Sequence, residues 1–183
     1  MKYNLQTIVR QCNGGKPMSF VFFWRGLKSY GRIDSSCLSQ WYPCAFMEDG
    51  VTYSTAEQYM MAQKARLFHD EDTYSRIMSA THPSDCKKLG RMVRNFSPEL
   101  WDRSKYGIVL KGSLLKFSQN PDCLDFLLKT GDAVLAEASP YDQIWGVGLP
   151  QEDERIRNPK LWRGENLLGF ALMEARDILA QEK

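Results

Sequence analysis

Histidine is nearly absent from this chain: His69 and His82 are the only two in 183 residues. Neither stands in an HExxH pattern or beside a cysteine pair, so no metal centre is expected. Cysteine is present but unorganised. Cys12, Cys37, Cys44, Cys86 and Cys123 are odd in number, irregularly spaced and free of any CxxC. That pattern argues against a disulfide framework and for a reducing, cytoplasmic compartment. No apolar run approaches the length of a membrane span, and the longest obvious one, FVFFW at 20–24, suits a buried strand. A basic-then-apolar leader pattern is missing as well, so no membrane partner is expected. Excess charge of one sign is also lacking. A formal net charge of +2 does not mark a dedicated nucleic-acid binder. It leaves room for the few local cations that a phosphorylated small molecule needs.

What is present is an ordinary globular composition, 43% hydrophobic and 25% charged. The length suits one domain with a real core. Residues 1–19 read as an irregular segment because of Gly14-Gly15 and Pro17, and 20–183 as the domain. SFVFFW is strand-like, and CAFMEDGVTY reads as a hairpin turning at Glu48-Asp49-Gly50. Helices are expected over 54–68 and 70–79, from Pro83, from Ser97-Pro98, and from Pro121 to a stop at Gly131. Leu110, Leu114 and Phe117 mark the core face of the fourth of these. A strand over 133–139 precedes a long polar segment, 140–165, and a last helix over 166–180. The fold expected is α+β, predominantly helical, a compact single domain with a few short strands.

In YSTAEQYMMAQKA, 53–65, Ser54 and Glu57 fit a capping box, with Ser54 bonding the third helical amide and Glu57 reaching back. A carboxylate in the first helical turn can also be held still against a pocket. Helical spacing puts Glu57, Met61 and Lys64 on one side, where Lys64 is available to a phosphate. In SPYDQIWGVG, Asp142 precedes Trp145, Gly146 and Gly148. A turn with a core tryptophan explains this stretch as well as a nucleobase or ribose site does. Trp24, Arg25 and Trp41 are core or loop residues on the plain reading, or a stacking and phosphate-binding set on the functional one. Asn166 is a candidate helix cap at which an anion can bind. Lys87, Lys88, Arg91 and Arg94 form the best basic run, and a solvated helix face explains it.

Taken together, these stretches resemble one family. The YSTAEQYMMAQKA signature, the LLKFSQNPDCLDFLLKTGDAVLAEASPYDQIWGVG half and the GENLLGFALMEARDIL helix are similar to the NADAR, or YbiA-like, family over roughly residues 20–180. Gln58 stands where the family often has histidine, and FFWRG replaces a phenylalanine–tyrosine–serine pattern. The resemblance implies a mainly helical domain and an N-glycosidase. Its substrates would be phosphorylated riboflavin-pathway intermediates, or ADP-ribose on guanine in nucleic acid. Glu57, Trp101, Asp142 and Trp145 match the family's acidic and aromatic site positions.

Hydrolysis of an N-glycosidic bond builds positive charge on the ribose, which a carboxylate stabilises or meets with an activated water. Carboxylates suffice, with no metal and no redox cofactor. Glu57 is assigned the main role and Asp142 the partner role. Trp145 and Trp24 stack on the base, with Gly146 allowing close approach. Arg25, Lys64 and Lys111 meet phosphates, and Trp101 and Asn166 complete the binding set. A non-catalytic module that senses ADP-ribose or NAD is the third reading. Base release from a substrate panel separates the three.

Overall fold

The computed structural model describes residues 1–15, 17–25 and 32–181. The Gly- and Ser-rich loop expected after Trp24 falls partly outside them, at 26–31. Two strands far apart in the chain open and close the body. β1 (Phe20–Phe23) pairs in parallel with β4 (Val134–Glu137), Phe20 opposite Val134 and Phe23 opposite Glu137. Parallel strands cannot be joined by a tight turn, and here the helical body forms the crossover. β2 (Phe46–Glu48) and β3 (Val51–Tyr53) form the expected hairpin. Asp49 and Gly50 both take positive φ, 49° and 79°, as a two-residue primed turn requires.

The first helix is a departure from expectation. The segment read as irregular carries α1 (Leu5–Asn13), whose Asn4 side chain accepts the Thr7 amide at 2.9 Å. Ile8 is buried, and Lys2 and Tyr3 both reach Asp177 at 2.5 Å. Gly14-Gly15 ends this helix instead of preventing it. α2 (Ala56–Leu67) follows the hairpin, then α3 (Glu71–Ser79), α4 (Pro83–Arg91), α5 (Pro98–Ser118) and α6 (Pro121–Lys129). α7 (Leu167–Gln181) ends the described chain. Proline occupies the first position of α4, α5 and α6, where its missing N–H leaves no bond unmade.

α2 is central, packed on α3, α4 and α5, while α5 and β4 pack on α7. Residues 56–62 of α2 are all buried, Glu57 and Gln58 included. A helix buried all round is normally apolar all round, so polar side chains inside α2 need partners. The α5 core face is broader than expected. Val109, Gly112, Ser113, Lys116 and Phe117 are its buried residues, while Leu110 and Leu114 lie half-buried beside them. A lysine inside that face is a placement that hydrophobic periodicity does not predict. Among the described residues, no helix is long and apolar enough to cross a membrane.

Candidate active site

The start of α2 is capped one residue later than the sequence pattern suggests. Thr55, not Ser54, is the cap, and its Oγ1 accepts the Gln58 amide at 3.1 Å. Gln58, not Glu57, reaches back, its Oε1 accepting the Ser54 amide at 2.8 Å and the Ser54 hydroxyl at 3.0 Å. The Gln58 Nε2 donates to the carbonyls of Ile77, Met78 and Ala80, which closes the end of α3. Gln58 is therefore committed to structure. The capping role is taken, and Glu57 is released from it.

The Glu57 amide donates to the Gln40 carbonyl at 2.9 Å, which fixes its backbone. Its side chain is buried, and Oε1 meets no hydrogen-bond donor. Burial pushes the carboxyl up to about 7. Lys87 and a hydrogen bond from the Trp41 side chain pull the other way, and the charge of Asp142 adds to the rise. A sealed carboxyl oxygen without a partner is rare in a native interior and asks for an explanation.

Glu137 repeats the pattern from another element. It is the last residue of β4, and its Oε2 is also buried without a partner. Burial first, then Asp142, pushes it up to about 8, with Glu57 adding and Lys87 opposing. Its backbone is held on both sides: the amide donates to Asn166 Oδ1 at 3.1 Å, and the carbonyl accepts from Val147 at 2.9 Å.

Asp142 lies in the loop that follows β4. Its Oδ1 accepts the amides of Ile144 and Trp145 at 3.0 and 2.8 Å, and its Oδ2 faces Lys87 Nζ at 3.8 Å. The Asp142–Trp145 spacing thus builds an Asx-type turn that sets the direction of the tryptophan. Gly146 makes the turn possible. A Cβ there would stand 2.9 Å from the Glu137 carbonyl and 3.0 Å from that of Asp142. Only glycine lets the loop fold so closely over the end of β4.

Asn166 is fully buried at a φ of 55°. Its Nδ2 donates to the Leu135 carbonyl at 2.9 Å while its Oδ1 takes the Glu137 amide. Both polar ends serve the edge of β4 that faces away from β1. The structure therefore gives Asn166 a positioning role beneath Glu137 in place of the anion site expected at a helix start.

The remaining candidates separate into groups. Trp24 lies 6.3 Å from Tyr141, ring to ring, with the Arg25 guanidinium 4.3 Å above Trp24. Through Tyr141 this set adjoins the Asp142 loop. Lys64 and Trp101 come together as a second set. Lys64 Nζ donates to the Gly90 carbonyl at 2.7 Å and lies 4.3 Å from the Phe96 ring and 5.3 Å from that of Trp101. Burial lowers its pKa. Met61 bridges this set to Glu57 along α2, since its side chain lies against Gly90. Lys111 departs from expectation. It forms an ion pair with Glu48, which also accepts from Tyr59 and Gln63, on the hairpin side of α2. Its charge is thus balanced there and not offered to a phosphate.

Sequence reasoning missed Glu137 and Lys87 as members of the site. A signal existed for Glu137, a charged residue ending the apolar run AVLAE. No local signal existed for Lys87, which sits in a basic run that the fold divides. Lys87 faces Asp142 and, with Arg91, acts on Glu57; Lys88 pairs with Asp85; Arg94 binds Asp70 through its side chain and amide. A depression of about 400 Å³ lined by Asp72, Ser75, Arg76, Ser79, Ala80 and Leu89 holds none of Glu57, Glu137 and Asp142. The unpartnered oxygens locate the site better than concavity does.

Comparison with known proteins adds an independent line. The family described as "NADAR domain" matches residues 22–180. An N-glycosidase of Acanthamoeba polyphaga mimivirus is 44% identical over 163 residues, 86% of this chain and 95% of the relative. N-glycosidase YbiA of Escherichia coli is 30% identical over 165 residues, 90% of this chain and 91% of the relative. The NMR structure of the E. coli protein YbiA superposes with a TM-score of 0.69 at 28% identity, covering 91% of this chain and 89% of the other.

Proposed function

This chain belongs to the NADAR domain family, and from that premise we infer that it is an N-glycosyl hydrolase that cuts the ribosyl–nitrogen bond of a phosphorylated ribosyl base. The substrates that fit this reading are phosphoribosylamino-pyrimidines of the riboflavin pathway. The relatives it matches, named N-glycosidases, support the bond type. One observation carries the reading: a buried Glu57 carboxyl oxygen without a donor, held beside the Asp142–Lys87 pair.

The chemistry follows from that arrangement. As the bond from C1′ to nitrogen lengthens, positive charge grows on the ribose ring. An anionic Glu57 in a water-poor site stabilises this charge strongly, because little solvent screens it. The same carboxylate takes a proton from the water that bonds to C1′. Asp142 stays in place through its two amide bonds and orients water or a ribose hydroxyl with its remaining lone pairs. The base stacks on Trp145 and Trp24. Lys64 keeps donors beyond the one it gives to Gly90, and these meet the phosphate, with Arg25 at the other rim.

The division of the basic run among Asp142, Asp85 and Asp70 disfavours a continuous nucleic-acid stripe, so the small-metabolite reading is preferred. The test is a panel of phosphoribosylamino-pyrimidine, NAD, ADP-ribose and an ADP-ribosylated oligonucleotide, with free base and released ADP-ribose measured by chromatography. Base release from the pyrimidine substrate is expected. Release from the oligonucleotide alone would move the assignment to ADP-ribosyl hydrolysis, and tight binding of ADP-ribose without product would make the chain a sensor.

A further inference from the structure

Glu57, Glu137 and Asp142 lie within electrostatic reach of one another. Opposite them stand Lys87, 3.8 Å from Asp142, and Arg91, which acts on Glu57 from one turn further along α4. Asp142 accepts two amides and faces the Lys87 ammonium. Glu137 has neither support. Its Oε2 is sealed and meets no donor. A buried carboxylate without donors is among the least favourable states in an interior, and holding a proton removes most of that penalty.

Place and orientation point the same way. Glu137 ends β4 at the carboxyl end of a parallel pair, the end at which open α/β sheets bind their ligands. The residue keeps some exposed surface, whereas Glu57 is only 3% exposed. Asn166 and Val147 pin its backbone on both sides, and the Gly146 turn folds directly over it. A buried carboxyl whose Oε2 meets no donor, carried on a backbone fixed from both sides, is placed to hold a proton and deliver it.

We infer that Glu137 is the proton donor to the departing nitrogen, a catalytic role separate from that of Glu57. The inference rests on the N-glycosidase reading above. In the step, the electron pair of the C1′–N bond moves onto nitrogen, and the Glu137 proton bonds to that nitrogen. Glu137 becomes a carboxylate as water bonds to C1′ and passes its proton to Glu57. Transfer of that proton back to Glu137 completes the cycle, with the base and the ribose phosphate as products. Burial raises both carboxyls, and Lys87, Trp41 and Arg91 favour charge on Glu57 whereas only Lys87 does so on Glu137, so the working ionisation is Glu137 protonated with Glu57 ionised. Lys87, Arg91 and Asp142 are the charged groups that face the pair.

The test uses two leaving groups. An amine-linked ribosyl 5′-phosphate needs a proton to depart; a nitrophenyl ribofuranoside 5′-phosphate of the same anomeric configuration does not. Glu137→Gln is expected to lower kcat on the amine-linked substrate about 100-fold and to abolish the alkaline limb of its pH profile. Activity on the nitrophenyl substrate stays within a few-fold and certifies the fold. Glu57→Gln should lower both. Glu137→Asp keeps an acid on a shorter arm, so it should retain the alkaline limb with a loss confined to the amine-linked substrate. Equal losses on both substrates in the Glu137 variants, or an unchanged profile, would overturn the proton-donor role while leaving the glycosidase reading intact. A wild-type protein that releases no base from any amine-linked riboside would overturn that reading instead.

Discussion

Glu57 and Lys116 are both sealed inside the protein, and they are held in opposite ways. Lys116 is 1% exposed, and its Nζ donates to the carbonyls of Cys37 and Ser39 at 2.6 and 2.9 Å. The rings of Phe117 and Tyr42 lie 5.2 and 5.6 Å away. Glu57 has an Oε1 that meets no donor, with the Trp41 side chain favouring its charged form. Burial moves each group toward its neutral form, lowering the lysine and raising the glutamate. The two charges even share a segment. Lys116 holds the carbonyls of residues 37 and 39, while the carbonyl of Gln40 and the side chain of Trp41 hold Glu57. Burial by itself therefore does not mark function in this molecule. A satisfied buried charge ties two elements together; an unsatisfied one waits for a ligand.

Substitutions on each side test that contrast. The largest effect is expected at Glu57. Glu57→Gln should lower kcat by about 100-fold to 10,000-fold in the base-release assay, with no loss of melting temperature. Its pH behaviour gives a second measurement. Relative to the ordinary glutamate value of 4.5, Glu57 is raised to about 7 and Glu137 to about 8. Between those values the folded state keeps protons that the unfolded chain has released. Their contribution to stability is therefore fully present below about pH 4.5 and is lost as pH rises through 7 and 8. Melting curves from pH 5 to 9 should show this decline in the wild type and a shallower one in Glu57→Gln. An equal decline in both would place the missing hydrogen bond on water instead of on a held proton.

Lys116→Met should reverse the pattern. It strips the donors from two buried carbonyls, which costs about 1–3 kcal/mol for each group left unpaired. The urea midpoint should fall while kcat per folded molecule stays within several-fold. A large loss of kcat with an unchanged midpoint would erase the distinction between the two buried charges. The smallest effect is expected at Thr55. Thr55→Ala removes the true cap of α2 and should cost about 1 kcal/mol, with activity nearly intact. If Thr55→Ala left stability unchanged and Glu57→Gln lowered it, the capping role would return to Glu57.

Much of this was legible in the sequence because it is local. The Asp49-Gly50 turn, the prolines that open α4, α5 and α6, and the Asp142-to-Trp145 turn depend on side chains bonding backbone a few residues away. Errors arose where two local solutions compete. Ser54-x-x-Glu57 and Thr55-x-x-Gln58 are both capping boxes, and only the packing of α2 on α3 selects the second, because Gln58 must also reach the carbonyls at 77, 78 and 80. Gly14-Gly15 and Pro17 read as breakers of the whole segment, whereas they only follow α1, which Asn4 caps. On α5 the Leu110, Leu114 and Phe117 stripe does pack on the core, but hydrophobicity alone could not place Lys116 beside it, where the interior needs a donor for the carbonyls of Cys37 and Ser39.

The sequence by itself determined the helical α+β character, the hairpin, and the placing of Glu57 in a helix's first turn and Asp142 in a glycine-framed loop. Each of these follows from short-range sterics and hydrogen bonding. The tertiary structure alone decided that Glu137 joins them, that Lys87 faces Asp142 while Lys111 is taken by Glu48, and that Asn166 supports β4. Those outcomes depend on which elements meet. They also depend on how much water is left between them, and it is the removal of that water from two carboxyls that sets their protonation.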